Sequence, residues 1–163
     1  GSVHLGGSYE SARLETTNGD LIIDAAVRNL DVGTVSGTIQ ATHVLDTMDG
    51  SSVNGDIRVR GENMRELQLD SISGAVVYGG TLHPDGELSI DTESGDIEVV
   101  LPADSALSVE AETLSGKIRC GFKQAHISKS EFGPGSELEF EQGAASCDVE
   151  LETTSGTIRI TGE

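Results

Sequence analysis

The sequence predicts an all-β fold, a single-stranded parallel β-helix (β-solenoid) of about eight coils, each 18–21 residues long. Three observations predict it. A short corner motif returns seven times, as NGDL at Asn18, SGTI at Ser36, NGDI at Asn54, SGAV at Ser73, SGDI at Ser94, SGKI at Ser115 and SGTI at Ser155. Apolar and polar residues alternate on both sides of each motif, as in LSIDTESGDIEV from Leu88 to Val99, and a period of two is that of a strand. The chain also holds 21 glycines and 3% aromatic residues, with no tryptophan, so turn residues are plentiful and the interior has to be filled by small aliphatic side chains.

The elements follow in order. Residues 1–13 read as an N-terminal lead-in segment, of which Gly1 and Ser2 have the form of a tag remnant, and residues 14–163 read as one solenoid domain. The corner glycines Gly19, Gly37, Gly55, Gly74, Gly95, Gly116 and Gly156 are separated by 18, 18, 19, 21, 21 and 40 residues, and the last step is two coils of which one is degenerate. A unit this short cannot bury its own apolar face, so coils must stack, each strand pairing in parallel with its equivalent one turn on. At about 4.8 Å per coil the rod is roughly 35 to 40 Å long. LETTNGDLII (14–23) and LETTSGTIRI (151–160) are then its first and last full rungs. Residues 121–146 form the irregular coil and carry all three phenylalanines, Phe122, Phe132 and Phe140. Helix is disfavoured by the glycine content and the lack of a sustained i, i+3, i+4 apolar pattern. A β-sandwich also has evenly spaced strands, but it alternates strand roles, whereas here the same residue type recurs at the same place in every repeat.

Two polar columns recur at the corner. One holds Thr16, Thr34, Ser52, Ser71, Thr92, Thr113 and Thr153, and the other holds Asn18, Ser36, Asn54, Ser73, Ser94, Ser115 and Ser155. Both share parity with the apolar residues expected to face inward, such as Leu30, Leu69, Ile90 and Leu151. Both are therefore expected to turn inward as structural ladders whose hydroxyls and amides bond one another and the turn backbone.

Charge narrows the partners. With Lys+Arg 10 against Asp+Glu 28, the formal net charge of −18 repels phosphate backbones and anionic headgroups, so neither nucleic acid nor an anionic membrane surface is expected to bind. No apolar run approaches the length of a spanning helix, and direct membrane insertion is not expected. Cys120 and Cys147 lack a CxxC spacing and read as small apolar residues, with a disulfide between neighbouring coils as the alternative.

The chemistry-bearing columns give no catalytic, cofactor or metal set. Ice binding needs a regular outward threonine array, and the position between the two ladders reads Thr17, Val35, Val53, Ile72, Glu93, Leu114 and Thr154. Calcium is suggested by Asp20, Asp56 and Asp96 after the corner glycine, but these acids skip coils and Lys117 stands in the same column, so solvated corner carboxylates are the expectation. His4, His43, His83 and His126 are scattered, and no G-x-S-x-G elbow exists. The irregular stretch is less acidic than its surroundings and offers one candidate partner surface, Phe122, Lys123, His126, Lys129 and Phe132, against the plainer reading of a packing loop.

The reiterated T-x-S-G-D-I-x-V units, VVLPADSALSVEAETLSGKI from Val99 to Ile118 and the closing VELETTSGTIRI from Val149 to Ile160 together resemble a bacterial domain-of-unknown-function family labelled as adhesin. The resemblance covers Leu14 to Ile160. It implies a right-handed, single-stranded β-helix attached to envelope-associated or membrane-anchored proteins, and it implies no catalytic residues. The expected function is a non-enzymatic, envelope-associated scaffold or adhesin-like domain that presents solenoid faces to a protein or glycan partner. A polysaccharide-active lyase or hydrolase is the alternative, and a module that self-assembles end to end or edge to edge is the second.

Overall fold

The computed structural model describes residues 1–129, 131, 133–144 and 147–163, and every described element is a strand. Five long strands, β1 (Val3–Asn18), β2 (Leu21–Ser36), β3 (Ile39–Asn54), β4 (Ile57–Ser73) and β5 (Val76–Ser94), each make one turn of a β-solenoid and pair in parallel with the next. The stack is of like on like. Leu21, Ile39, Ile57, Val76 and Ile97 occupy one register line, and Leu30, Met48, Leu67 and Leu88 another, so the core consists of files of aliphatic side chains running along the rod. Unequal coil lengths are absorbed away from the corners: the register slips between Gly61 and Glu66 on β4, while Ser71 and Ser73 stay in line with Thr92 and Ser94. Residues 3–13, read from sequence as a lead-in, are the first part of β1 and pair with β2 from Val3 onward.

Five coils run in succession rather than eight, because the order then breaks. The chain continues through β6 (Ile97–Leu101), which pairs with β5 as expected, and crosses to β7 (Leu107–Thr113) and β8 (Lys117–Cys120). The C-terminal strands β11 (Cys147–Ser155) and β12 (Thr157–Gly162) return and insert beneath them. β11 lies between β5 and β7, parallel to both, and β12 lies between β6 and β8. LETTSGTIRI is therefore an interior rung and not the last one. The order of corners along the rod is Gly95, Gly156, Gly116, and each would carry its Cβ into the carbonyl oxygen of the glycine before it.

The irregular stretch is not a degenerate coil but an antiparallel hairpin over the end of the rod. Its strands are β9 (His126–Lys129) and β10 (Ser136–Gln142), with β10 pairing antiparallel to β7. Leu138 and Phe140 of β10 are buried, and the Phe140 ring lies 5.4 Å from that of Phe122.

Two features of the corner explain the motif. Gly55 has φ 152, and Gly37 and Gly74 have φ 141, a conformation that L side chains rarely adopt. The aspartates that follow corner glycines are not merely solvated. The Asp20 carboxylate accepts the backbone N–H of Thr38 (2.9 Å), Asp56 that of Ala75 (3.0 Å) and Asp96 that of Thr157 (2.7 Å), so each acid binds the rung above it. That explains why the acids skip coils: the residue above donates only its N–H and need not itself be acidic.

Replacing Gly156 by alanine is expected to destabilise the fold by about 3 kcal/mol. Gly79→Ala, whose Cβ meets nothing within 4 Å, is expected to change stability by less than about 0.5 kcal/mol. Loss of the inter-rung bond in Asp96→Ala is expected to cost about 1 kcal/mol. Urea midpoints of the three variants, at unchanged slope, provide the measurement.

Candidate functional site

In a strand, the residues on either side of an inward side chain face out. The inward threonine column is thus flanked by two outward files, and the chain bends there, so the files become the walls of a groove. The Thr/Ser column is its floor, with Thr34, Ser52, Ser71, Thr92 and Thr153 all buried. The groove crosses six rungs, from β2 to β7 with β11 among them, and encloses about 580 Å³. Six rungs at strand spacing give it a length of roughly 24 Å.

The wall before the threonines is acidic. Ser51, Asp70, Asp91, Glu152 and Glu112 stand in direct register on successive rungs, and Glu137 of β10 follows Glu112. The opposite wall begins with Val53 and Ile72, continues through Glu93 and Thr154, and ends on Leu114. Of these, Ile72 and Leu114 are 47% and 46% exposed, large aliphatic side chains without cover.

Among the described residues the acidic wall has no basic counterpart. The ion pairs of the described residues, Arg13 with Glu15 and Asp31, Arg58 with Asp56, Arg65 with Asp46 and His43 with Asp24, lie elsewhere. Partial burial and the neighbouring Asp70 push the Asp91 carboxyl above its ordinary range, against a lowering hydrogen bond with Glu152. Glu152 is raised by burial and then by Asp91, Glu150 and Glu112. Asp49, which lines a second groove, is raised by burial and by Asp31 and Asp70.

The residues singled out in the sequence are dispersed. Phe122 is only 6% exposed and packs on Phe140, so it belongs to the core of the cap and cannot present itself to a partner. Lys123, His126 and Lys129 are exposed on and just before β9, and Phe132 lies outside the described residues. The Asn/Ser column does not turn inward: Asn18, Asn54, Ser73, Ser94, Ser115 and Ser155 are exposed and Ser36 is half-buried, because the chain is already rounding the corner there. The Thr/Ser column does turn inward, but its hydroxyls do not bond one another. Those of Thr34, Ser52, Ser71 and Thr92 have no partner, and those of Thr113 and Thr153 reach the carbonyls of Gly156 and Gly95 at 3.4 Å. Rungs about 4.8 Å apart hold stacked oxygens beyond hydrogen-bonding distance.

Cys120 and Cys147 are free. The buried Cys147 thiol donates to the carbonyl of His83 at 2.8 Å, and burial raises the Cys120 thiol. Among the described residues no group of three or more His, Cys, Asp or Glu is arranged to hold a metal, and no helix is long and apolar enough to cross a membrane.

The acidic wall is readable in principle. An acid immediately precedes the column residue in five of the seven repeats, at Glu15, Asp70, Asp91, Glu112 and Glu152. The corner motif draws attention to the columns that follow the threonine and away from this one. What no linear reading supplies is the concave bend that sets this file against an aliphatic one.

A family model described as Toastrack DUF4097 matches residues 8–161. No curated protein and no solved structure gives a significant match.

Because folded Asp91 and Glu152 bind protons more readily than the unfolded chain does, the folded state holds more protons between the ordinary carboxylate pKa and the raised one. Stability therefore falls as pH rises through that window. Acidification from neutral pH towards the ordinary carboxylate range is expected to raise Tm, and Glu152→Gln is expected to stabilise by about 0.5 kcal/mol, or 1 to 2 °C, and to flatten the pH response. Thermal melts of the two proteins across this pH range test it.

Proposed function

The chain belongs to the Toastrack DUF4097 family, a domain of unknown function, and from that premise we propose that it is a non-enzymatic binding scaffold that engages a protein or glycan partner along its groove face. One observation carries the reading: Asp70, Asp91, Glu152 and Glu112 stand in register, without basic partners among the described residues, along one wall of an elongated groove. A linear repeat of one functional group suits recognition of a linear partner. Attachment to the bacterial cell envelope, and with it the adhesin-like role, rests on the family resemblance alone.

Polysaccharide cleavage is the second reading, and the Asp91 and Glu152 pair is what favours it. Two carboxyls one rung apart, both raised, approach the spacing of a retaining pair, about 5 Å. Their direction argues against it. They stack side by side on one wall, whereas displacement at a sugar carbon requires carboxyls on opposite faces of the bond being broken.

The test is turnover against a panel of acidic and neutral polysaccharides, with the Asp91→Asn variant as control. No product is expected from either protein. Release of product that this substitution abolishes would overturn the scaffold reading in favour of the enzyme.

A further inference from the structure

The two walls of the groove differ chemically in a way that selects among partners. One wall is a file of carboxylates from β4 to β7, and the other is aliphatic at Val53, Ile72 and Leu114, with Glu93 and Thr154 between Ile72 and Leu114. Nothing basic within the described residues neutralises the first, and nothing covers the second. An extended polypeptide presents successive side chains to opposite sides, so one lying along such a groove turns alternate residues to each wall. Over roughly 24 Å it would span about seven residues.

We propose that the groove binds an extended peptide segment in which lysine or arginine alternates with aliphatic residues, the cations facing Asp70, Asp91, Glu152 and Glu112 and the aliphatic side chains facing Val53, Ile72 and Leu114. Charge complementarity selects a cationic partner. The aliphatic wall favours a peptide over a cationic glycan, because among the described residues no aromatic ring lines the groove to stack on a sugar face. A second copy of this chain, with net charge −18, is a poor occupant of an acidic groove. The proposal rests on the binding-scaffold reading and names its partner.

The probe is a blocked, fluorescently labelled heptapeptide alternating valine and lysine, titrated with the whole chain by anisotropy at low and at physiological salt. Saturable binding that weakens as salt rises is expected. The double variant Asp91→Asn, Glu152→Gln should bind about tenfold more weakly. Ile72→Ser should weaken binding severalfold with an unchanged salt response. The charge-matched control Glu62→Gln, Asp104→Asn, two exposed acids away from the groove, should bind like the parent. Thermal melts establish that each variant is folded.

Absence of binding, or an equal loss in the charge-matched control, overturns the proposal, the latter because attraction would then follow net charge and not the groove. Binding of a glucosamine oligomer at the groove while the peptide fails also overturns it, but leaves the scaffold reading standing. Concentration-dependent self-association in sedimentation that the double variant abolishes overturns it as well, because the occupant is then a second copy.

Discussion

Where the chain turns from one face to the next, the carbonyl oxygen of each corner glycine occupies the space in which the next rung's glycine would carry a Cβ. Successive rungs meet there backbone to backbone, and that contact fixes the phase of every strand relative to its neighbour. A slip of one residue would exchange the inward and outward faces of an entire coil. With the corner in register, aliphatic residues line up in files, the threonine column stays inside, and the acids before it stand one above another. The groove is thus a by-product of how the corner is made.

That regularity has an electrostatic consequence. Stacking equivalent positions superimposes equivalent charges, and two carboxylates one rung apart repel by nearly 1 kcal/mol even at the dielectric of water. The corner aspartates avoid this cost by alternating with threonine or alanine and accepting a backbone N–H from the rung above. The wall acids do not alternate. From Asp70 to Glu112 four consecutive rungs carry a carboxylate, and burial together with these neighbours raises the proton affinity of Asp91 and Glu152. The two acidic files of one molecule therefore differ in kind: the first closes bonds within the solenoid, and the second leaves charge unopposed at its surface.

The sequence carries the fold class and the inward files, because period-two alternation and a glycine at a fixed offset leave little else for a stack of short units to do. Inward Leu30, Leu69, Ile90, Val109 and Leu151 are all buried. The order of the final rungs is not legible, for the reason that makes the fold so: a corner such as Ser94-Gly95 is matched equally by Ser115-Gly116 and by Ser155-Gly156, and only the spatial path of the chain decides between them. Parity likewise places the Asn/Ser column inside, but parity holds only along a straight strand and fails as the backbone rounds a turn. Phe122 stands in the least regular stretch, which the letters leave open between a packing loop and a partner surface, and its burial against Phe140 of β10 decides for packing. The acid file is present in the letters; its facing wall is not.

The interleaved end gives the molecule a direction in time. On a ribosome the five leading coils can close one upon another as they emerge, each needing only the coil already made. Residues 107–120 have no such neighbour, because the strands on which they rest, β11 and β12, follow them in the chain and are made only afterwards. The final strands thus act as a late wedge, and the distal half of the groove, with Glu152 and Glu112, comes into being only once that wedge is seated.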